Sequence, residues 1–131
     1  MNQNKIEIKN NKKKLKNIRK EICKNELNPF IANHYISSKE EELEPCRIGI
    51  IKRKKINNLI IKKLKEELNS NKKRKKYNEI IVDTISDLEY KNGTENEILK
   101  LINLRKNEFY YMNLLKKKSK KNNKKSITVG D

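Results

Sequence analysis

Residues 46–76, CRIGIIKRKKINNLIIKKLKEELNSNKKRKK, are the stretch whose reading decides the fold. They hold 13 Lys or Arg against Glu66 and Glu67, and so supply +11 of a net charge of +17. What separates this stretch from a solvated tail is the Ile and Leu recurring through its middle at helical spacing. Ile56, Leu59, Ile60, Leu64 and Leu68 share one face of a helix expected over 54–68, with Ile61 at its edge. Lys54, Lys55, Lys62 and Lys65 lie on the opposite side. Lys63 and Glu67, four residues apart within the apolar arc, are placed to pair or to lay their stems along it. Ahead of the helix, RIGII at 47–51 suits a short strand as well as a loose helix start. Behind it, Asn69-Ser70-Asn71 ends the helix, and Lys72, Lys73, Arg74, Lys75 and Lys76 form a basic loop.

Downstream, residues 77–90 predict a second helix. Tyr77, Ile80, Ile81, Thr84, Ile85 and Leu88 make its apolar side, and Glu79, Asp83 and Asp87 an acidic row on another. A short loop between the two helices makes them antiparallel neighbours, packed through these apolar faces. Their basic and acidic rows would meet at one edge, each exposed pair contributing only ~0.2–1 kcal/mol. Asn92-Gly93 predicts a helix stop, and Thr94 with Glu97 a capping box that opens a last helix over 95–116. That helix is apolar nearly all round. Ile98, Leu101, Ile102, Phe109 and Met112 form one face, Leu104, Tyr111 and Leu115 a second, and Leu99, Tyr110 and Leu114 a third. Such a helix is a buried one. A chain this small cannot cover every side of it, so Leu104, Tyr111 and Leu115 are expected to meet another protein or a second copy.

Upstream, Leu15, Ile18 and Ile22 form a narrow stripe within residues 1–27, whose net charge is +6. So polar a helix orders only against the rest of the fold or a partner. Asn28-Pro29 breaks it. Asn-Pro-Phe is also a short endocytic motif, but the plainer reading is a helix stop followed by a buried Phe30. Phe30, Ile31, Tyr35 and Ile36 make one apolar turn. Ser37 and Ser38 each precede a Glu by three, Glu40 and Glu41, in capping-box fashion, which leaves only a short acidic turn at 39–44 before Pro45. At the other end, 116–125 is almost pure Lys and Asn and is expected to be disordered. The fold class is therefore all-α, a small antiparallel helical hairpin or bundle. A basic helical extension (1–27) and a linker with the acidic turn (28–46) precede a helical core (47–116), and a disordered basic tail (117–131) follows.

Composition bounds the function. In 131 residues there is room for one domain plus extensions. Leu, Ile, Val and Phe make up about a quarter of the chain, above the ~20% at which disorder becomes the default. Apolar residues in all reach only 34%, so the core is thin enough for a partner to complete it. Lys, Asn and Ile, all writable with A and T codons alone, account for more than half of the residues, while Ala occurs once. Part of the +17 is thus compositional. Codon bias does not explain the segregation by sign, with −3 over 28–45 and −4 over 77–104. Cys23, Cys46 and His34 have no metal-site spacing, and two isolated thiols fit a reducing, intracellular compartment. No metal or cofactor is expected. No window approaches the ~18 apolar residues of a membrane span, and the N-terminus has no apolar leader.

The sequence contains no Ser/His/Asp set, no Gly-rich phosphate loop and no HExxH, so no enzyme is expected, and the 79/83/87 row reads as a solvated face. Basic blocks at 12–24, 52–76 and 116–125 suit the phosphate backbone of RNA or DNA, bound by neutralisation with little base reading. Lys54, Lys55, Lys62, Lys65, Lys72, Lys73, Arg74, Lys75 and Lys76 are the candidate contacts. Tyr110 and Tyr111, beside the last block, are placed for base stacking, with core packing the expected role of at least one of them. The runs at 52–55 and 72–76 have the form of a nuclear import signal. The leading expectation is a non-catalytic, RNA-associated subunit of a ribonucleoprotein or chromatin-type assembly. Its rival is a helical scaffold or coiled-coil subunit, recruited through Leu104, Tyr111 and Leu115 or self-associating, with charge due mainly to codon bias.

Overall fold

The computed structural model describes residues 2–70 and 74–129, with side chains within 3–118. Among the described residues there are four helices and no strand: α1 Asn2–Cys23, α2 Pro29–Ile36, α3 Glu40–Ser70 and α4 Lys75–Val129. The protein is all-α, as its periodicities predict. The first three helices pack against α4, which is the axis of the molecule.

Two stripes on α4 explain this arrangement. Ile81, Ile85, Leu88, Asn92, Glu95, Leu99, Ile102, Lys106 and Phe109 follow one another in steps of three and four. Leu101, Leu104, Glu108, Tyr111, Leu115 and Lys118 do the same on a second face. Such 3-4 spacing is the signature of a coiled-coil seam. The first stripe receives α3, whose own seam runs Leu43, Arg47, Ile50, Lys54, Asn57, Ile61, Leu64, Leu68. Bonds from Asn113 to Glu40, Arg53 to Glu95 and Asn57 to Asn92 show the two helices antiparallel. The second stripe receives α1, also antiparallel, through Glu7 with Lys118, Arg19 with Glu108 and Ile22 with Leu101.

The core therefore has two parts. In the body, Leu43, Ile50, Ile98 and Ile102 form one buried cluster, and Ile22, Ala32 and Leu101 form another. α2 wedges Ile31 and Tyr35 against them. Beyond the body, α3 and α4 continue as a two-helix arm with one small cluster, Ile61, Ile81 and Ile85, flanked by Leu64, Leu68 and Leu88. The expected antiparallel pairing of 54–68 with 77–90 is this arm.

Several local expectations are corrected. RIGII at 47–51 is neither strand nor helix start, because α3 begins at Glu40 and passes through it. Pro45 sits exposed in the second turn, where its missing N–H leaves the Glu41 carbonyl without an i+4 donor. Leu43 and Ile50 in the body set the phase of the whole helix, so the arm turns Ile61 inward. Ile56, Leu59 and Ile60, expected to be core, are 57%, 60% and 41% exposed. Ser37 and Ser38 do not cap α3; their hydroxyls donate back to the Asn33 and His34 carbonyls at the end of α2.

Asn92-Gly93 does not stop α4. The Asn92 amide group works across the seam, where its Oδ1 accepts from Asn57 (3.1 Å) and its Nδ2 donates to Asn58 (2.9 Å). Thr94, rather than capping, donates to the Tyr90 carbonyl one turn back. Asn28-Pro29 opens α2: Asn28 Oδ1 accepts from the Phe30 N–H (2.9 Å), and Pro29 occupies the first turn. Phe30, expected to be buried, is 89% exposed. In the segment 117–131, where a disordered tail is expected, the backbone continues α4 to Val129, and from residue 119 on the side chains lie outside the described residues.

Candidate functional site

The nine candidate phosphate contacts fall into three groups. Lys54 and Lys65 are engaged across the hairpin: the Lys54 ammonium donates to Asn96 Oδ1, and Lys65 lies 3.5 Å from Glu89. Lys55, Lys62, Arg74, Lys75 and Lys76 are exposed, with no ion pair among the described residues. Lys72 and Lys73, at the tip, lie outside the described residues. The acidic row Glu79, Asp83 and Asp87 is exposed, and no ion pair among the described residues reaches it. The pairs that do join the arm's helices are Lys65 with Glu89 and Arg53 with Glu95.

Leu104, Tyr111 and Leu115 are half-buried, and the face they share is where α1 lies. Leu104 packs against the Ile22–Ala32–Leu101 cluster, and the Lys14 ammonium stands 5.7 Å from the centre of the Tyr111 ring. The nearly all-round apolar character of the last helix thus has an internal cause, since α1 covers one side and α3 another. Tyr110, on the third face, is 58% exposed and borders an open cleft of about 490 Å³ with Glu40, Lys106, Asn113 and Lys117.

Two charged clusters link the helices of the body, and neither stands out in the sequence. Glu108 is only 6% exposed in the α1–α4 seam. Its Oε2 accepts from Arg19 Nε (3.0 Å). Its Oε1 is ion-paired with Arg105, a charge contact rather than a well-directed hydrogen bond, and Arg105 Nε has no acceptor among the described residues. Arg105 also lies over the Phe109 ring at 4.4 Å. Burial first, and the Arg19 charge second, hold the Arg105 pKa below its ordinary value. On the α3 side, Glu44 is gripped by Arg47 (Nε to Oε2, 2.9 Å) and by Lys106 from α4. Hydrogen bonds from Arg47 and then Lys106 pull its pKa down to about 2.

The feature that the sequence hid lies on one flank of the arm. Ile56, Ile60, Lys63 and Glu67 follow one another in steps of four, three and four along α3, away from the buried seam. Tyr77, Ile80, Thr84, Asp87 and Lys91 run in steps of three and four along α4. The Tyr77 hydroxyl donates to Glu67 Oε1 (2.5 Å), which places the two stripes on the same side of the hairpin. This bond also raises the Tyr77 pKa. Ile80 is 63% exposed, and on other parts of the arm's surface Leu59 and Val82 are exposed too. The phase set by Leu43 and Ile50 is the signal that would have found the flank.

Among the described residues no group of His, Cys, Asp or Glu is arranged to hold a metal ion, and no helix is long and apolar enough to cross a membrane. Cys23 and Cys46 are free thiols. No protein-family model matches the chain, and no curated protein or solved structure is significantly similar to it.

Proposed function

We propose that the protein is a non-catalytic coiled-coil subunit of a larger assembly, recruited through the α3–α4 arm. One observation carries this reading: the arm leaves Ile56, Ile60 and Ile80 exposed along one flank. Two helices bury only the surfaces they turn to each other, and clustered exposed apolar residues mark interaction surfaces. Heptad-spaced stripes are suited to a further helix or pair of helices. The test is co-purification of the tagged chain from its native cells, wild type beside Ile60→Glu with Ile80→Glu. Proteins retained by the wild type and lost from the double variant support the reading; identical recoveries refute it.

A second reading, contact with the phosphate backbone of RNA or DNA, is favoured by the exposed Lys55, Lys62, Arg74, Lys75 and Lys76. The two readings suit one protein, a basic subunit of a nucleic-acid-containing complex. Filter binding with single-stranded and duplex RNA over a salt series tests the second. Affinity should fall steeply with salt and weaken further in Lys55→Glu with Lys62→Glu; no binding at low salt rejects it.

A further inference from the structure

We infer that the outer side of α1, a band of unpaired lysines, is the surface on which this protein meets the phosphate backbone of a nucleic-acid duplex. The inference rests on the nucleic-acid reading and moves its main contact from the arm to the body. The placement of charge around α1 points there.

α1 turns Leu15, Ile18 and Ile22 toward the body. Lys5, Lys9, Lys12, Lys13, Lys16 and Lys20 fall within about 100° of the helix circumference, away from that stripe. All six are exposed, and none has an ion pair among the described residues. The two acids of α1 lie outside the band, where Glu7 pairs with Lys118 of α4 and Glu21 with Lys24. The remaining cations of α1 are engaged with α4, Arg19 at Glu108 and Lys14 beside the Tyr111 ring. Codon bias sets how many lysines the chain carries; it does not sort six unpaired ones to one side of a helix and both acids to another.

The arm offers a polyanion less. Lys54 and Lys65 are engaged there, Glu66 follows Lys62 by one turn, and the row Glu79, Asp83 and Asp87 runs along the arm's other helix. α1 lies clear of that row. Its last turn packs Ile22 near Leu101, 14 residues along α4 from Asp87. That is about 21 Å at ~1.5 Å per residue, or about two screening lengths at ~0.1 M salt. At the other end of α1, Lys116 and Lys117 are exposed next to the Lys118–Glu7 pair and extend the positive field.

The form of the band selects the duplex. Single strands are gripped by stacking bases on aromatic side chains, and α1 has no aromatic residue. A duplex presents a stiff rod with one negative charge per about 1.7 Å of axis. Lysines along one side of a straight helix neutralise such a rod without reading its bases.

The test is fluorescence anisotropy of the full chain with one labelled duplex, made as RNA and as DNA, and with its separated strand, over a salt series. The wild type should prefer a duplex to the strand, its log affinity falling linearly with log salt. Lys9→Gln, Lys13→Gln, Lys16→Gln and Lys20→Gln, combined, keep a good helix former at each exposed position, so helicity by circular dichroism should be unchanged. The combined variant should lose about 3–4 from the slope, near 0.9 for each phosphate contact, and bind at least about tenfold more weakly at ~0.1 M salt. Lys9→Arg, Lys13→Arg, Lys16→Arg and Lys20→Arg keep the charge and should keep the slope.

A glutamine variant that binds the duplex as the wild type does overturns the inference, as does a strand bound as tightly as the duplex. Phosphatidylserine-containing vesicles that bind more tightly than either duplex, and release the glutamine variant, make the band a lipid site and overturn it too. Failure here is separable from failure of the nucleic-acid reading. Duplex binding that survives in the glutamine variant but is lost in Lys55→Glu with Lys62→Glu refutes the α1 contact alone, whereas a wild type that binds no nucleic acid at low salt refutes both.

Discussion

At the scale of single residues, two ionic clusters tie helices of the body to α4. Glu108 is the clearest case, a carboxylate 6% exposed between Arg105, whose side chain is 14% exposed, and Arg19, which is 56% exposed. Removing it leaves Arg105 buried without a counter-charge, while the pair with Arg19 is largely screened by water. Glu108→Ala should destabilise the fold by on the order of 3 kcal/mol in a urea titration, with α1 becoming the first segment cut by protease. Glu44 makes a pH prediction. Arg47 and Lys106 depress its pKa from 4.5 to about 2, so its contribution is fully present above pH 4.5 and is lost as the pH falls toward 2. The thermal midpoint should drop over that window, and Glu44→Gln should remove part of the drop. None of this was legible in the sequence. A Glu or Lys on a helix reads the same whether it faces water or a seam, and the partners lie 89 residues apart for Arg19 with Glu108 and 62 apart for Glu44 with Lys106.

At the scale of elements, the expected helices were present but their ends and their phase were not. Leu15, Ile18 and Ile22 mark α1 because they follow one another along its stripe without a polar interruption. The α3 seam is interrupted by Arg47, Lys54 and Asn57, and that obscures a heptad which becomes evident once Leu43 and Ile50 are joined to Ile61 and Leu64. These polar seam positions are tolerated because Arg47 reaches Glu44, Lys54 reaches Asn96 and Asn57 reaches Asn92. Breakers were likewise overruled by continuity. Gly93 lies inside α4 because Leu88 and Leu99, on either side, both need the helix to stay in register. Its conformational freedom costs helix stability, and a Cβ added there meets nothing within 4 Å. Gly93→Ala should therefore raise stability by about 0.5–1 kcal/mol, visible as a higher thermal midpoint with unchanged helicity. Of the candidate site, the type of residue was readable from the sequence and its setting was not. Lysines opposite an apolar stripe were evident, but which of them α4 engages depends on a phase that the local pattern misassigned.

At the scale of the whole molecule, the net charge of +17 sets the response to salt. Exposed ion pairs are worth little, whereas like charges repel across the entire surface. Screening that repulsion should outweigh loss of the pairs, so the thermal midpoint should rise between 10 mM and 300 mM salt, where the screening length falls from about 30 Å to well under 10 Å. A midpoint that falls instead would show that attractive pairs dominate. The unbroken course of α4 has a mechanical consequence. From Gly93 to Lys75 the helix rises about 27 Å beyond the body, at about 1.5 Å per residue. The body braces one end of this lever with three helices, and the arm stiffens the other with one. Where they join, the packing is polar, with Asn57, Asn58 and Asn92 in place of Leu or Ile, and α4 has its glycine one residue further on. Bending costs least there, so a load at the tip swings the arm as a stiff pointer about a fixed pivot and leaves the body's core undisturbed.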